Sequence, residues 1–231
     1  MINNTICFLK AIYRGKYIYR KKINITKEWF GNNYGGFYIH PKLVNDESVV
    51  YSLGIGEDIS FDASLIEKFN CNVYGFDPTP RSVDYVNKIN NKKLIFTPVG
   101  IANTSEEKYF YLPKNTDHVS GSLLETRIVS KKKVLLKFKT LHDIMKSFQH
   151  THIDVLKIDI EGYEFRLIDY LIKSKIKINQ LLIEFHPDIL PNGKSLTKDA
   201  INKLNSIGLE CFAVSNSYSE LSFINKEILE K

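Results

Sequence analysis

Apolar and polar positions follow two different periods along the chain. From residue 49 onward, short and nearly continuous apolar runs alternate with segments in which apolar residues recur every three or four positions. The first pattern is typical of buried strands and the second of amphipathic helices. The predicted strands are residues 49–53, 71–76, 93–101, 108–113, 134–139, 154–160, 180–185, 209–215 and 220–226, and the predicted helices are residues 59–69, 80–90, 141–148, 164–173 and 195–208.

The order of these segments predicts the fold class. Unbroken apolar strands that alternate with helices favour an α/β fold with a mostly parallel sheet. The last two strands are separated by only four polar residues, which predicts an antiparallel hairpin at the edge of that sheet. Residues 1–45 lack the alternation and carry basic and aromatic residues, so we predict an N-terminal extension that packs on a main domain of residues 46–231.

Polar residues follow the predicted strands at the ends where open α/β sheets bind their ligands. Gly54 and Gly56 form a glycine turn after the first strand, and Asp77 ends the second strand 21 residues after Gly56. This spacing is typical of an acid that hydrogen-bonds a ribose in nucleotide-binding folds. Asp before Pro is also a common turn starter. Together, the glycine turn and the acid favour a ligand of the adenosine type.

Two acids in the glycine turn bear on which adenosine ligand binds. Glu57 and Asp58 would repel a pyrophosphate, and Ile59 stands where the NAD motif has its third glycine. S-adenosylmethionine has no phosphate and carries a cationic sulfonium and an ammonium group, which carboxylates attract. The two acids can equally well stabilise the start of the next helix, and neither role favours NAD.

The strand ends also carry the resemblance to a known family. In order, the segments are VVYSLGIGEDISFD, VYGFDPTP, TPVGI, DVLKIDIEGYEFRLI and QLLIEFHP, with KFKTLHDIM before the fourth. Over roughly residues 34–226 the chain resembles the class I S-adenosylmethionine-dependent methyltransferases of the FkbM type. LKIDIEG followed by LLIEFH is the most specific part.

The resemblance implies a Rossmann-like, doubly wound sheet of seven mostly parallel strands with an antiparallel last strand. It also implies methyl transfer, most often to a hydroxyl of a sugar, a glycan or a small metabolite. The residues that it assigns to the cofactor are Gly54 and Gly56 for the methionine part, Asp77 for the ribose, Val99, Gly100 and Ile101 near the adenine, and Asp159 facing the sulfonium and the acceptor.

One position departs from the family pattern. The acid that usually opens the glycine motif is replaced by Ser52. The carboxylate that contacts the methionine ammonium can therefore be Glu57 or Asp58, and the sequence leaves this choice open. The same departure is the one feature in favour of a cofactor-binding module without catalytic activity.

An alcohol acceptor must lose its proton, which calls for a base or a metal ion. The candidate catalytic residues are His186, Asp159 and the loop residue His118, and the candidate substrate-binding residues are Tyr34, Glu161 and Glu184. Asp159, Glu161, Glu184 and His186 can also hold a divalent ion such as Mg²⁺ or Mn²⁺. The carboxylates can instead orient substrate or cap a helix, and we favour a site without metal. Lys157 is expected to extend its ammonium to the sheet edge.

Composition and charge narrow the class of partner. The net charge is +6, and basic residues cluster in segments 10–22 and 131–139, which raises the possibility of a nucleic-acid substrate. Adenine amino-methyltransferases usually carry an N/D-P-P-Y/F motif after the fourth strand, where this chain has DIEG, so we favour a small-molecule or glycan acceptor over nucleic acid. The N-terminal arm and the last hairpin are candidate surfaces for a homo-oligomer.

Three cysteines far apart in the sequence predict free thiols. The chain has no apolar run of 18 residues and no signal-peptide core, which predicts a cytoplasmic protein.

Overall fold

The computed structural model describes residues 2–115 and 119–229. Its strands are β1 (Glu28–Phe30), β2 (Phe37–Ile39), β3 (Val50–Leu53), β4 (Val73–Phe76), β5 (Leu94–Thr97), β6 (Gly100–Ile101), β7 (Glu106–Pro113), β8 (Val129–Lys139), β9 (Ile153–Ile158), β10 (Ile178–Glu184), β11 (Leu209–Val214) and β12 (Glu220–Asn225). Its α-helices are α1 (Ile2–Tyr13), α2 (Ser60–Phe69), α3 (Pro80–Val86), α4 (Leu141–Ser147), α5 (Glu164–Ser174) and α6 (Gly193–Ser206). Three short 3₁₀ helices span Pro41–Leu43, Pro187–Ile189 and Lys226–Ile228.

Seven strands form the central sheet, in the order β11-β12-β10-β9-β3-β4-β5. Strands β10, β9, β3, β4 and β5 run parallel, whereas β12 is antiparallel to both of its neighbours. From β3 the chain proceeds through β4 to β5 at one edge of the sheet. From β9 it proceeds to β10, toward the opposite edge, so the two connections diverge from the adjacent strands β3 and β9. This confirms the predicted α/β class and the antiparallel last strand, and it puts the ligand crevice at the carboxyl ends of β3 and β9.

The prediction of a single strand over residues 93–101 is wrong. The segment forms two strands, β5 and β6, which belong to two different sheets. Strand β5 pairs with β4 and ends at Thr97, and Pro98 follows it. Proline has no amide hydrogen to donate to a neighbouring strand, so the ladder with β4 does not continue through Pro98. The chain turns there, with the Val99 amide donating to the Thr97 carbonyl at 2.8 Å. Strand β6 then pairs with β8.

The second sheet has three strands in the order β6-β8-β7, and it stands beside the carboxyl ends of the central sheet. Strands β7 and β8 form a long antiparallel hairpin. Strand β8 begins five residues before the predicted strand 134–139. Residues 119–128, which lead into β8, reach the sheet edge, where the Ser122 hydroxyl donates to the Glu161 carbonyl at 2.7 Å.

Helix α2 packs on the central sheet. Its most buried side chains are Phe61, Asp62 and Leu65. Phe61 and Leu65 belong to a core cluster with residues of β3 and β4, which accounts for the orientation of the helix. The carboxylate of Asp62 is therefore only 1% exposed.

The segment before β3 packs on the central sheet through a short hairpin of β1 and β2. Phe37 and Ile39 are fully buried in the same cluster as Val50 of β3. Beyond β2, the amide of His40 donates to Gln180 Oε1 of β10 at 2.7 Å, and Gln180 Nε2 donates back to the His40 carbonyl at 3.2 Å. These contacts tie the segment to the sheet, while the domain boundary at residues 45 and 46 stays a prediction.

The turn of that hairpin, residues 31–36, is folded against its one tryptophan. The indole nitrogen of Trp29 donates to the Asn32 carbonyl at 3.1 Å, and the ring packs edge-on against Tyr38. A methyl group on Gly36 would lie 2.5 Å from the indole, so only glycine permits this approach. The turn therefore has a defined position above the carboxyl end of β3.

In residues 2–115 and 119–229, helices are too short or too polar to cross a bilayer.

Candidate functional site

A cavity of about 240 Å³ opens at the carboxyl ends of the central strands. Its walls come from the ends of β3, β4, β9 and β10, from the turn at residues 31–36 and from the segment after residue 118. The lining residues singled out from the sequence are Tyr34, Gly54, Gly56, Glu57, Asp58, Asp77, Gly100, Ile101, Asp159, Glu161, Glu184 and His186. Residues far apart in sequence thus meet at one site.

The glycine turn after β3 fits closely against the neighbouring strand. Gly54 has φ +79° and Gly56 has φ +57°, which is the left-handed region that favours glycine. A Cβ atom at Gly54 would lie 1.7 Å from the carbonyl oxygen of Asp159. At this position the close approach of β9, as well as the backbone conformation, requires glycine.

Asp77 lies at the end of β4 and is bonded to the glycine turn. Its Oδ2 accepts the amide of Gly56 at 3.0 Å, and its Oδ1 accepts the amide and the hydroxyl of Thr79 at 2.9 and 2.7 Å. The carboxylate is 7% exposed and lines the cavity. It therefore joins the two turns that follow β3 and β4, and its Oδ2, which accepts a single hydrogen bond, keeps a lone pair for a ligand hydroxyl.

The two acids of the glycine turn each have a partner outside the cavity. Glu57 pairs with Arg81 of α3 at 2.7 Å. Asp58 Oδ1 accepts the amide of Ser60 at 2.8 Å at the start of α2, and Oδ2 accepts from Asn32 Nδ2 at 2.8 Å. Asp58 thus holds the turn at residues 31–36 against the start of α2, which is more than the cap that the sequence suggested.

Beneath the glycine turn lies a buried polar group that sequence reasoning missed. The ammonium of Lys157 is not extended to the solvent at the sheet edge as expected. It donates to the carbonyl of Gly54 at 2.8 Å, and the residue is 4% exposed. Asp62 and Ser52 lie close by. Burial raises the pKa of the Asp62 carboxyl, which the positive charge of Lys157 and the Ser52 hydroxyl oppose.

On the other side of the cavity, Asp159, Glu161, Glu184 and His186 form what we call the carboxylate–histidine cluster. His186 Nε2 lies 3.4 Å from Glu161 Oε2, 3.7 Å from Glu184 Oε1 and 3.8 Å from Asp159 Oδ1. The opposite ring nitrogen, Nδ1, lies 3.3 Å from Oε1 of Glu164, a residue that is fully buried. The cluster therefore places three carboxylates around one end of an imidazole.

Burial and mutual repulsion shift the pKa values in this cluster. Burial raises the pKa of the Glu184 carboxyl well above its usual range, and the negative charge of Asp159 adds to the shift. Burial also raises the pKa of Glu161. For His186, burial alone lowers the pKa of the imidazole. The surrounding carboxylates, Glu164 first, outweigh burial and raise that pKa well above its usual range. An imidazolium cannot accept a proton, so the base role predicted for His186 requires that its proton leave first.

Comparison with known proteins identifies the family. The profile of the Methyltransferase FkbM domain matches residues 45–211. The chain belongs to the FkbM methyltransferase family. Membership confirms the resemblance drawn from LKIDIEG and LLIEFH, and it supports methyltransferase activity for the cavity described above.

Two curated relatives carry the description "Probable methyltransferase-like protein 24". The human protein is 24% identical over 205 residues, which cover 83% of this chain and 50% of the relative. The rat protein is 26% identical over 191 residues, which cover 78% and 46%. The chain thus spans about half the length of the curated relatives it matches.

A solved structure shows the same fold. The crystal structure of the methyltransferase FkbM from Methylobacillus flagellatus is 13% identical, with a TM-score of 0.50, over 81% of this chain and 46% of that one. At this level of identity the likeness concerns the fold alone.

The remaining predicted site residues of this FkbM methyltransferase differ in where they lie. Gly100 and Ile101 line the cavity, whereas Val99 is buried in the core and does not. Tyr34 is 80% exposed at the cavity mouth. His118 lies outside the described residues. Lys157, also part of the cavity wall, was identifiable only as an unusual charge in an apolar strand.

Proposed function

We propose that this FkbM methyltransferase uses S-adenosylmethionine to methylate a hydroxyl oxygen of a sugar, a glycan or another small metabolite. The observation that carries the proposal is that the glycine turn, Asp77 and the carboxylate–histidine cluster line one cavity. A cofactor site and a group able to handle a hydroxyl proton are thus brought together. Holding donor and acceptor together in this way is the main requirement of methyl transfer.

The charge of the cavity wall supports S-adenosylmethionine over a dinucleotide. The wall carries the carboxylates of Asp58, Asp77 and Asp159 beside the glycine turn. Their charges attract a sulfonium or an ammonium and repel a pyrophosphate. The glycine turn would hold the methionine part, and Asp77 Oδ2 would accept from a ribose hydroxyl. When bound, S-adenosylmethionine supplies an activated methyl group.

The carboxylate–histidine cluster supplies the acid–base chemistry of the proposal. Its oxygens accept hydrogen bonds, so they can orient an acceptor hydroxyl and take its proton. Tyr34, at the mouth, would cover the acceptor with its ring. Pockets that bind neutral sugars combine such aromatic surfaces with a few polar groups.

Calorimetric titration with S-adenosylmethionine, S-adenosylhomocysteine and NAD tests the cofactor assignment. We expect the first two to bind and NAD not to bind. The Asp77→Ala variant should weaken binding at least about tenfold, because it removes hydrogen bonds to a charged acceptor. Asp84→Ala serves as the matched control, since Asp84 is an exposed acid on α3 near the same turn. Binding of NAD alone would contradict the proposal.

A panel of acceptors tests the substrate class, with release of S-adenosylhomocysteine as the readout. Free sugars, glycans and small alcohols are compared with single-stranded RNA. We expect turnover with a hydroxyl compound of the first group. Turnover with RNA alone, with a steep loss of activity on addition of salt, would replace the small-molecule assignment by a nucleic-acid one. Cofactor binding without turnover on any acceptor would instead favour a cofactor-binding module.

A further inference from the structure

We propose that the carboxylate–histidine cluster binds one divalent cation of the Mg²⁺ or Mn²⁺ class, with Asp159, Glu184 and His186 as its protein ligands. The role of the ion rests on the proposed function, whereas its binding does not. The sequence alone favoured a site without metal, and four features of the structure lead to the opposite conclusion.

The first feature is the separation of the ligand atoms. One carboxylate oxygen each from Asp159 and Glu184 and a ring nitrogen of His186 all lie within 4.8 Å of one another. The nitrogen is 3.8 Å from the first oxygen and 3.7 Å from the second. Two atoms bound to one ion at about 2.1 Å lie about 3.0 Å apart at a right angle and about 4.2 Å apart across the ion. Both separations fall inside that range.

The second feature is the orientation of the imidazole. Oε1 of Glu164 accepts the backbone amide of His186 at 2.9 Å and faces Nδ1 at 3.3 Å, while Oε2 accepts the amide of Gly162 at 2.7 Å. Glu164 is fully buried, so its carboxylate is fixed and in turn fixes the ring. Nε2 is thereby directed at the carboxylates. A carboxylate on the far nitrogen of a histidine is the usual outer-shell support of a metal ligand.

The third feature is that the two carboxylate ligands have no hydrogen-bond donor of their own. Throughout residues 2–115 and 119–229, Asp159 and Glu184 accept no side-chain or backbone hydrogen bond. The ammonium of Lys157 is 3.9 Å from Asp159 Oδ2, but it is already bonded to the Gly54 carbonyl. The Asp159 and Glu184 side chains are largely buried, at 27% and 23% exposed, and a cation bound in the cavity would give them the partner they lack.

The fourth feature is the position of the cluster in the cavity. The three proposed ligands come from the ends of the adjacent strands β9 and β10, which the sheet holds rigidly. Asp159 is also next to the glycine turn, where the methyl donor would lie. An ion here can bind the acceptor hydroxyl beside the methyl donor. It would not contact Asp77, the carboxylate that we propose binds the ribose.

The chemistry of the ligand set selects the class of ion. Two carboxylates and one imidazole offer hard oxygen atoms with a single nitrogen, which suits Mn²⁺ and Mg²⁺ better than soft ions. Bound to the acceptor oxygen, the ion would stabilise the alkoxide form of the hydroxyl. The hydroxyl proton would pass to water or to Glu161, which lies beside the three proposed ligands. No change of oxidation state is involved.

Electron paramagnetic resonance provides a direct test with Mn²⁺ as the probe, because free Mn²⁺ gives a signal that weakens on binding. The purified chain is stripped with EDTA, exchanged into buffer and titrated with Mn²⁺ alone. We expect saturation at one ion per chain, with Mg²⁺ in excess displacing it. Absence of saturable binding by the unmodified chain overturns the proposal.

Two conservative variants test the ligands. Glu184→Gln and Asp159→Asn keep the shape of the side chains but remove their charge, and each should weaken Mn²⁺ binding at least tenfold. Glu67→Gln, an exposed acid on α2, is the control and should bind as the unmodified chain does. A thermal melt of each variant shows that it is folded. If the folded Glu184→Gln and Asp159→Asn variants bind Mn²⁺ as tightly as the control, the ligand assignment is wrong.

The same samples separate this inference from the proposed function. S-adenosylmethionine is titrated by calorimetry in the presence of EDTA. Cofactor binding without any Mn²⁺ site overturns the metal inference and leaves the proposed function standing. A Mn²⁺ site without cofactor binding overturns the proposed function and leaves the metal inference standing. Each experiment thus fails independently of the other.

Discussion

Lys157 and Asp62 lie close together under the glycine turn, at a place where related proteins usually carry one acid. That acid is replaced by Ser52, whose hydroxyl is buried with no hydrogen bond of regular geometry among the described residues. Asp62 enters the same region from α2, and Lys157 enters it from β9 and holds the carbonyl of Gly54. Removing the buried ammonium is costly, because the Asp62 carboxyl then loses the positive charge that offsets its burial.

A double-mutant cycle tests this pair. Lys157→Met keeps the length of the side chain but leaves Asp62 without its counter-charge, so we expect a loss of about 1 to 3 kcal/mol in the free energy of unfolding. Adding Asp62→Asn should restore part of that loss. Urea denaturation measures it, and Lys137→Met, at an exposed position of β8, serves as the control. Additive effects of the two substitutions would show that the side chains do not interact.

At the scale of single residues, the sequence predicted which strand ends carry polar groups but not how those groups are paired. Asp77, Asp159 and Glu184 follow apolar strands, and the rule that strand ends share one edge brought them together. The partners of Glu57 and Asp58 come from α3 and from the turn at residues 31–36, which no local pattern indicates. Pairing depends on tertiary contacts, which periodicity does not contain.

Among the structural elements, β3 and β9 approach each other closely at Gly54. Gly54→Ala combines a left-handed backbone with a Cβ atom 1.7 Å from the Asp159 carbonyl oxygen. Strain and overpacking together should cost about 2 to 5 kcal/mol and should abolish binding of S-adenosylmethionine. Thermal or urea denaturation and calorimetry measure the two effects.

Gly15 offers a matched control for this substitution. Its φ is +70°, close to that of Gly54, but a Cβ atom there would meet no other atom within 4 Å. Gly15→Ala should therefore cost only the backbone term of about 1 to 2 kcal/mol and should leave cofactor binding unchanged. Equal effects of the two substitutions would mean that the approach of β9 is unimportant.

The elements themselves could be predicted where the apolar pattern is long and regular. Apart from β5, the strands of the central sheet and helices α2, α5 and α6 fall within a few residues of their predicted bounds. The misread segment, 93–101, contains a proline inside an apolar run, where the local hydrophobicity continues but the hydrogen-bond ladder cannot. The long hairpin of β7 and β8 was underestimated because its outer face is polar and carries lysines.

For the molecule as a whole, His150 links stability to pH. Burial lowers the pKa of its imidazole, and the nearby His152 adds to that shift. The ring packs against Tyr51, Tyr74 and Phe148, and Nδ1 is 2.8 Å from the Tyr51 hydroxyl. The unfolded chain therefore binds the proton first as the pH falls below about 6.5, and this contribution to stability is lost toward lower pH.

His150→Gln isolates this contribution. The difference in unfolding free energy between the unmodified chain and the variant should be largest above about pH 6.5 and should shrink as the pH falls. Urea denaturation at a series of pH values measures it. His142→Gln, at an exposed position of α4, should show no such trend. A difference that stays constant with pH would contradict the assignment.

At the same scale, the resemblance to the family implied a doubly wound sheet of seven strands, and the alternation of elements alone predicted only the class. The site could be predicted as an edge of the sheet because parallel strands all end there. The acceptor side could not, because turn 31–36 and the segment that follows residue 118 obey no repeating pattern. Their positions depend on contacts such as that of Asp58 with Asn32.

The contact between Trp29 and the turn at residues 31–36 gives the protein a built-in optical probe. Trp29 is the one tryptophan of the chain, so all indole fluorescence comes from this point. Its ring nitrogen is bonded to Asn32, which also holds Asp58 of the glycine turn. A ligand that rearranges the glycine turn therefore changes the surroundings of the indole. Emission intensity and wavelength can thus follow the loading of the cavity in real time, without any label.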